Sequence, residues 1–376
     1  MDVRHLESNE EHICDETNLS FAGCGFVGIY HIGASACLQL HAPHLLRHRV
    51  GGSSAGAMCA LALLCDIPLV HEARNVAMLA FKAKQNTLGV FSPSFHMHEI
   101  IKTHFESILP DDVAERVSGK LFVSLTKFSN QKNILVTQFR NKADVIDAVC
   151  ASSFVPLMSG LTLPRFRGEF AMDGGLSDNV PSLGARTITV SPFTGDASIC
   201  PEEQTTELWS VPQGSGATVH LSKRNLWRFK DAVIAPYTQT VQSLCAQGFS
   251  DAAKFLLSTD NIKCQECLEY PKTMAEEHFN CDHCILKKEQ LTKVHDELPE
   301  EFREVFNDII NLEEEGKSLI SYISILSSWS SSKTSDIINS LGQRLAMISL
   351  LHIPLVPLKC LYNIQPSIQS CPFVDL

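Results

Sequence analysis

Between residues 18 and 190, short apolar blocks alternate with longer segments whose apolar positions recur every three to four residues. The short blocks, bounded by glycine or polar turns, read as buried strands, and the periodic segments as amphipathic helices. Strands are expected at 18–22, at 121–125 and 134–139 on either side of the polar turn 129–133, at 170–172 and at 187–190. Helices are expected at 29–40, over the apolar run after Gly56, at 68–84, at 95–109 and at 142–152. In the 68–84 helix, Val70, Ala73, Val76, Ala77 and Ala80 form the core face. This alternation predicts an α/β fold of three layers, a largely parallel sheet with helices on both faces.

From about residue 196 the pattern changes. Residues 201–216 are polar and loop-like, and 226–257 read as helix interrupted at Pro236. Two C-x-x-C pairs follow, then a charged helix beyond Glu289, a serine-rich apolar stretch and an apolar end at 345–364 carrying Pro354 and Pro357. The expected division is a polar, disordered segment at 1–17, an α/β domain at 18–195, a helical extension at 196–262, a cysteine-rich element at 263–285 and a helical and apolar region at 286–376. No window is long and apolar enough for an uninterrupted membrane span.

The chain's 376 residues are 44% hydrophobic, enough for one large core plus an extension. A net charge of −11 argues against recognition of nucleic acid through its phosphates. There are fourteen cysteines, but the acidic N-terminus has no signal-peptide core. Cys37, Cys59, Cys65 and Cys150 sit in apolar helical text, as reduced thiols do. The expectation is a reducing, intracellular setting.

The sharpest motif is Gly52-Ser53-Ser54-Ala55-Gly56, preceded by the β-branched Val50 and followed by an apolar helical run. Strand, sharp turn and helix would hold the Ser54 hydroxyl exposed and strained at a helix N-terminus. The glycines, Gly52 and Gly56, allow strand and helix to cross closely. A helix N-terminus offers free N–H groups to an oxyanion. A plain N-cap serine in a glycine turn is the competing reading.

Upstream, Gly23-Cys24-Gly25-Phe26-Val27-Gly28 has the G-x-G-x-x-G form of a dinucleotide site. That reading requires an acidic residue about 20 positions on, where the chain has Leu46-Arg47-His48-Arg49-Val50. The loop reads better as an oxyanion hole facing Ser54. A serine needs a base. The histidines after Asp173 (His220, His278, His283, His295 and His352) lie in loops, in polar helix or inside a C-x-x-C pair. Asp173, at a strand end before Gly174 and Gly175, is the better base, placed at the carboxyl edge of the sheet. A turn-forming aspartate before two glycines is its alternative role. A carboxylate base implies a pH–rate profile with an acidic limb at a carboxylate pKa and none near about 6.5.

Taken together, the glycine loop, the serine elbow and Asp173-Gly174-Gly175 resemble the patatin-like phospholipase family. The flanks 19–26, 41–46, 177–181 and 188–193 resemble its adipose triglyceride lipase and insect brummer lipase branch, and the paired C-x-x-C motifs resemble the insect form. The resemblance is dense over 18–257. It implies a catalytic Ser54–Asp173 dyad. The oxyanion N–H groups would come from Gly23, Cys24 and Gly25, with Gly28 supporting the loop, and from Ala55. The implied activity is triacylglycerol hydrolysis through an acyl-enzyme, with no cofactor for catalysis. Phospholipase or transacylase chemistry on the same site, and a non-catalytic droplet scaffold, are the alternatives. The implied setting is the cytoplasm and the lipid-droplet surface, with an α/β-hydrolase-like co-activator as partner. The tail at 345–357 is weakly similar to the family's droplet-targeting segment, and an acidic chain would bind there through apolar burial.

Cys264, Cys267, Cys281 and Cys284 have two-knuckle spacing, with residues 268–280 between the pairs. That pattern predicts a structural zinc site, since four thiolates leave no open position for water.

Overall fold

The computed structural model describes residues 17–314, apart from 87–88, 93–94, 157, 161, 204–208, 260, 264–266 and 268–280. The expectations for the N-terminal segment, for Cys264 and for the apolar tail lie outside these residues.

Four strands form the parallel heart of the sheet, in the order β3 (Leu121–Lys127), β2 (Val50–Gly52), β1 (Asn18–Phe21) and β7 (Thr187–Val190). All four residues of β1 are buried, as expected of a strand covered on both faces. Three strands depart from the parallel expectation. β4 (Asn133–Val136) and β6 (Glu169–Asp173) both run antiparallel to β3, and β5 (Arg165–Phe166) pairs antiparallel with β6. The cause is local: β5 and β6 are joined by a tight hairpin with Arg167 and Gly168 at positive φ. β6 therefore descends into the sheet, and its last residue, Asp173, pairs with Leu125. On the same β3 strand, Val123 pairs with Gly52. The Ser54 turn and the Asp173 carboxylate thus reach nearly the same level of the sheet from opposite directions.

The helices are α1 (Ile29–His41), α2 (Ala55–Leu64), α3 (Leu69–Lys84), α4 (Met97–Ile108), α5 (Val113–Val117) and α6 (Lys142–Ser152). Beyond β7 come the hairpin β8 (Ser210–Pro212) and β9 (Thr218–His220), then α7 (Lys223–Val233), α8 (Thr238–Ser258), α9 (Asp282–Val294) and α10 (Glu300–Glu314). The break between α7 and α8 falls at Pro236, which cannot donate to a continuing helix.

One apolar core runs from Leu19 to Ile309, so the helices after β7 pack into the same interior as the sheet. α8 lies along α1 so closely that a Cβ on Gly33 would overlap the Cys245 carbonyl, and one on Gly248 the Tyr30 carbonyl. Within that contact the Tyr30 hydroxyl donates to Asp251 Oδ2 at 2.8 Å. α10 carries an apolar stripe of Phe302, Phe306 and Ile309 into the core and joins α3 through Arg74 and Asp308 at 3.4 Å. No helix among the described residues is long and apolar enough to cross a membrane.

Candidate active site

Ser54 stands between β2 and α2 with φ 50 and ψ −124. For a residue with a Cβ this conformation is strained, by about 1–3 kcal/mol. Two features hold it. A Cβ on Gly52 or Gly56 would overlap the Phe21 carbonyl, so only glycine lets α2 cross β1 at this distance. The Ser54 N–H donates to Ser152 Oγ at 2.8 Å, and Ser152 Oγ donates in turn to the Ser124 carbonyl at 2.7 Å. The strained turn is thereby tied to α6 and β3.

Asp173 ends β6, is nearly fully buried, and its carboxylate accepts a hydrogen bond from the Gly175 N–H at 2.7 Å, with the Ser54 side chain near enough to favour its charged form. Burial pushes its pKa up from 3.8 to about 6, against the opposing pull of those two groups. Gly174 is required by contact, since a Cβ there would strike the Ser124 carbonyl. A Cβ on Gly175 would come within 2.7 Å of Asn179 Oδ1 and 2.9 Å of the Asp173 carboxylate itself. Serine and carboxylate are neighbours, and no histidine is among the groups that set the carboxylate's pKa.

The loop before α1 is a 3-10 turn, Gly25–Gly28. Gly25 has φ +55, and a Cβ on it would overlap the Ala232 carbonyl of α7. Gly28 packs on Ala55, where a Cβ would come within 2.7 Å of the alanine methyl. Gly25, Gly28 and Ala55 line the same cavity as Ser54. Gly23 corrects the expected oxyanion set. Its N–H donates to Asn179 Oδ1 at 2.9 Å and is spent on holding the loop. Of the proposed donors, Cys24, Gly25 and Ala55 keep N–H groups with no acceptor among the described residues. The Cys24 thiol turns away into the core, 3.2 Å from His31 Nε2.

Two positions that sequence reasoning passed over complete the site. The Asn179 side chain bonds Gly23 in both directions, and its Oδ1 also accepts the Ser53 hydroxyl at 2.7 Å, so one amide couples the loop to the elbow. His31 is fully buried on α1, and its Nε2 lies 2.7 Å from the Ala22 carbonyl. Burial drives its pKa down to about 4, so it sits there as a neutral ring that positions the loop. The available signal was a polar residue inside otherwise apolar text.

Ser54 opens on a cavity of about 380 Å³. The walls are Ile29 and Ile32 of α1, Ala62 of α2, Leu79 of α3, Ile101 and Phe105 of α4, and Ile309 and Leu312 of α10. Met58, Met78, Met97 and Met158 add four flexible thioethers. The polar exceptions include His104 and Glu72, joined at 3.1 Å. A nucleophilic serine, a buried carboxylate acceptor, free N–H groups at a helix N-terminus and an apolar slot are together equipped for acyl transfer from an ester.

An elbow serine beside a buried aspartate in a three-layer α/β sandwich defines a class of protein, and sequence comparison identifies the same class. Residues 19–186 match the patatin-like phospholipase family. The human patatin-like phospholipase domain-containing protein 4 is 35% identical over 244 residues, 64% of this chain and 96% of that protein. The chain belongs to the patatin-like phospholipase family. The human 1-acylglycerol-3-phosphate O-acyltransferase PNPLA3 is 42% identical, and the Bos taurus patatin-like phospholipase domain-containing protein 2 is 38% identical, each over 242 residues and 64% of this chain. The match spans about half the length of these two relatives, 50% of each.

Proposed function

We propose that the chain is a serine acyl hydrolase that cleaves triacylglycerol at a lipid-droplet surface and releases fatty acid and diacylglycerol. The observation that carries the reading is Ser54 on the wall of an apolar cavity with the buried Asp173 carboxylate beside it. Asp173 takes the hydroxyl proton as Ser54 Oγ attacks the ester carbonyl. The N–H groups of the glycine loop and Ala55 meet the oxyanion, helped by the positive end of α2. The protonated Asp173 hands its proton to the departing diacylglycerol oxygen. Water, deprotonated by the same carboxylate, then releases the fatty acid from Ser54.

The surface beside the site supports a lipid interface. α7 touches the glycine loop at Gly25 and exposes Leu226, Trp227, Phe229 and Val233, with Ile234 and Tyr237 following. Lys223, Arg224 and Lys230 lie on the same helix. Exposed aromatic and aliphatic residues flanked by cations suit a helix lying in a headgroup layer. The family resemblance adds a cytoplasmic, droplet-bound setting and an α/β-hydrolase-like co-activator.

A second reading is acyl transfer to an alcohol. It is favoured by the relative named as a 1-acylglycerol-3-phosphate O-acyltransferase and uses the same acyl-enzyme. Purified protein should be given a triolein emulsion, a phospholipid, and lysophosphatidic acid with an acyl donor, in parallel. Fastest turnover on triolein, abolished by Ser54→Ala, is the expected result. Faster acylation of lysophosphatidic acid would replace the hydrolase with the transferase, and full activity of Ser54→Ala would remove both.

A further inference from the structure

At the start of α9, three thiols converge from two separated segments. Cys284 Sγ lies 3.8 Å from Cys267 Sγ, and the sulfurs of Cys267, Cys281 and Cys284 all lie within 4.8 Å of one another. A disulfide would bring two sulfurs to about 2.05 Å. A tetrahedral zinc with Zn–S bonds of about 2.3 Å sets its sulfurs about 3.8 Å apart. The observed spacing is that of thiolates around a metal. We propose that Cys267, Cys281 and Cys284 bind one structural zinc ion.

Local structure holds the thiols together. Cys281 is the N-cap of α9 and Cys284 sits in its first turn, its N–H donating to the Cys281 carbonyl at 2.9 Å. Lys287 Nζ of α9 donates to the carbonyl of Lys263 at 3.4 Å, which keeps the chain leading to Cys267 beside this helix. Soft thiolates in this spacing select zinc over harder divalent ions, and on binding each thiol gives up its proton. The site would tie Cys267 to the first turn of α9. α9 in turn buries Leu291, and just beyond its end Asp296 accepts from Ser250 Oγ of α8 at 2.9 Å. The inference rests on no step of the proposed reaction.

The test is metal analysis of the full chain, purified under reducing conditions from zinc-supplemented cells. Zinc near one per chain is expected, equally in Ser54→Ala and in Cys65→Ser, whose thiol lies outside the cluster. Cys267→Ser, Cys281→Ser and Cys284→Ser should each lose at least about nine-tenths of it. Zinc-free wild-type protein, or cysteine variants that keep their zinc, would overturn the proposal. Should those variants fail to fold, cobalt exchanged into the wild-type chain decides. The visible bands of a tetrahedral thiolate site support the assignment, and their absence refutes it.

Discussion

Asn179 and Gly23 hold each other from both sides: Asn179 Oδ1 accepts the Gly23 N–H at 2.9 Å, and its Nδ2 donates to the Gly23 carbonyl at 3.0 Å. Since the same Oδ1 takes the Ser53 hydroxyl, this amide sets the distance between loop and nucleophile. Asn179→Ala should lower kcat on the order of 10–100-fold with little change in KM, because misplacing a transition-state donor costs rate. Steady-state kinetics on a folded variant checks it, and an unchanged kcat would show the clamp to be structural only.

Asp173→Asn should be inactive yet more stable at neutral pH. A buried acid whose pKa rises from 3.8 to about 6 binds its proton more tightly folded than unfolded. Its contribution therefore favours the fold at low pH and is lost as pH rises from about 4 to about 6. Above that range the ionised group costs up to roughly 3 kcal/mol, which asparagine avoids. Thermal melts at pH 7.5 should show the variant above wild type, with the gap closing near pH 4. A lower melting temperature at pH 7.5 would contradict the burial argument.

The acidic limb of kcat/KM should fall near pH 6. This differs from the position expected of an ordinary carboxylate, because burial lifts Asp173 towards the histidine range. The pH value alone thus fails to tell the two bases apart, and temperature does so. Carboxyl ionisation is nearly athermal whereas imidazole ionisation is not, so a limb that stays in place between cold and warm assays identifies Asp173. Neither His31→Ala nor His104→Ala should remove the limb.

Ile101 of α4 faces the cavity. Ile101→Trp should cut kcat/KM for long-chain esters by about 10-fold or more while leaving a butyrate ester within about twofold, on the scale at which apolar pockets read added methylenes. Equal losses on both would mean that acyl chains bind elsewhere.

The exposed face of α7 predicts a separation of surface from chemistry. A Leu226→Ser/Trp227→Ser double variant should lose emulsion binding and triolein hydrolysis together. Its turnover of a water-soluble butyrate ester should stay near wild type. Flotation with phospholipid-coated droplets measures the first effect, and undiminished flotation would discard the helix as the contact.

Much of this site was readable along the chain because its parts are local. The Ser54 elbow and the Asp173-Gly174-Gly175 turn are each written in consecutive residues, where glycine is demanded by a neighbouring carbonyl. Strand direction was not readable, because an apolar block reads the same both ways. The antiparallel course of β6 is dictated by the two-residue strand β5, too short to leave a periodic signal. The Asn179 clamp and the loss of Gly23 from the oxyanion set depend on a contact across 156 positions. α10 read as a charged helix, since its apolar stripe is narrow beside six acidic side chains in Glu300–Glu314.

The four methionines along the acyl slot also give it a redox character. Unsaturated acyl chains carry hydroperoxides, and a thioether is an oxygen acceptor for them. Each sulfoxide formed would place a strong dipole where a methylene should lie, and reductases can reverse it. Oxidation of these four sulfurs would thus make the cavity more polar until they are reduced again.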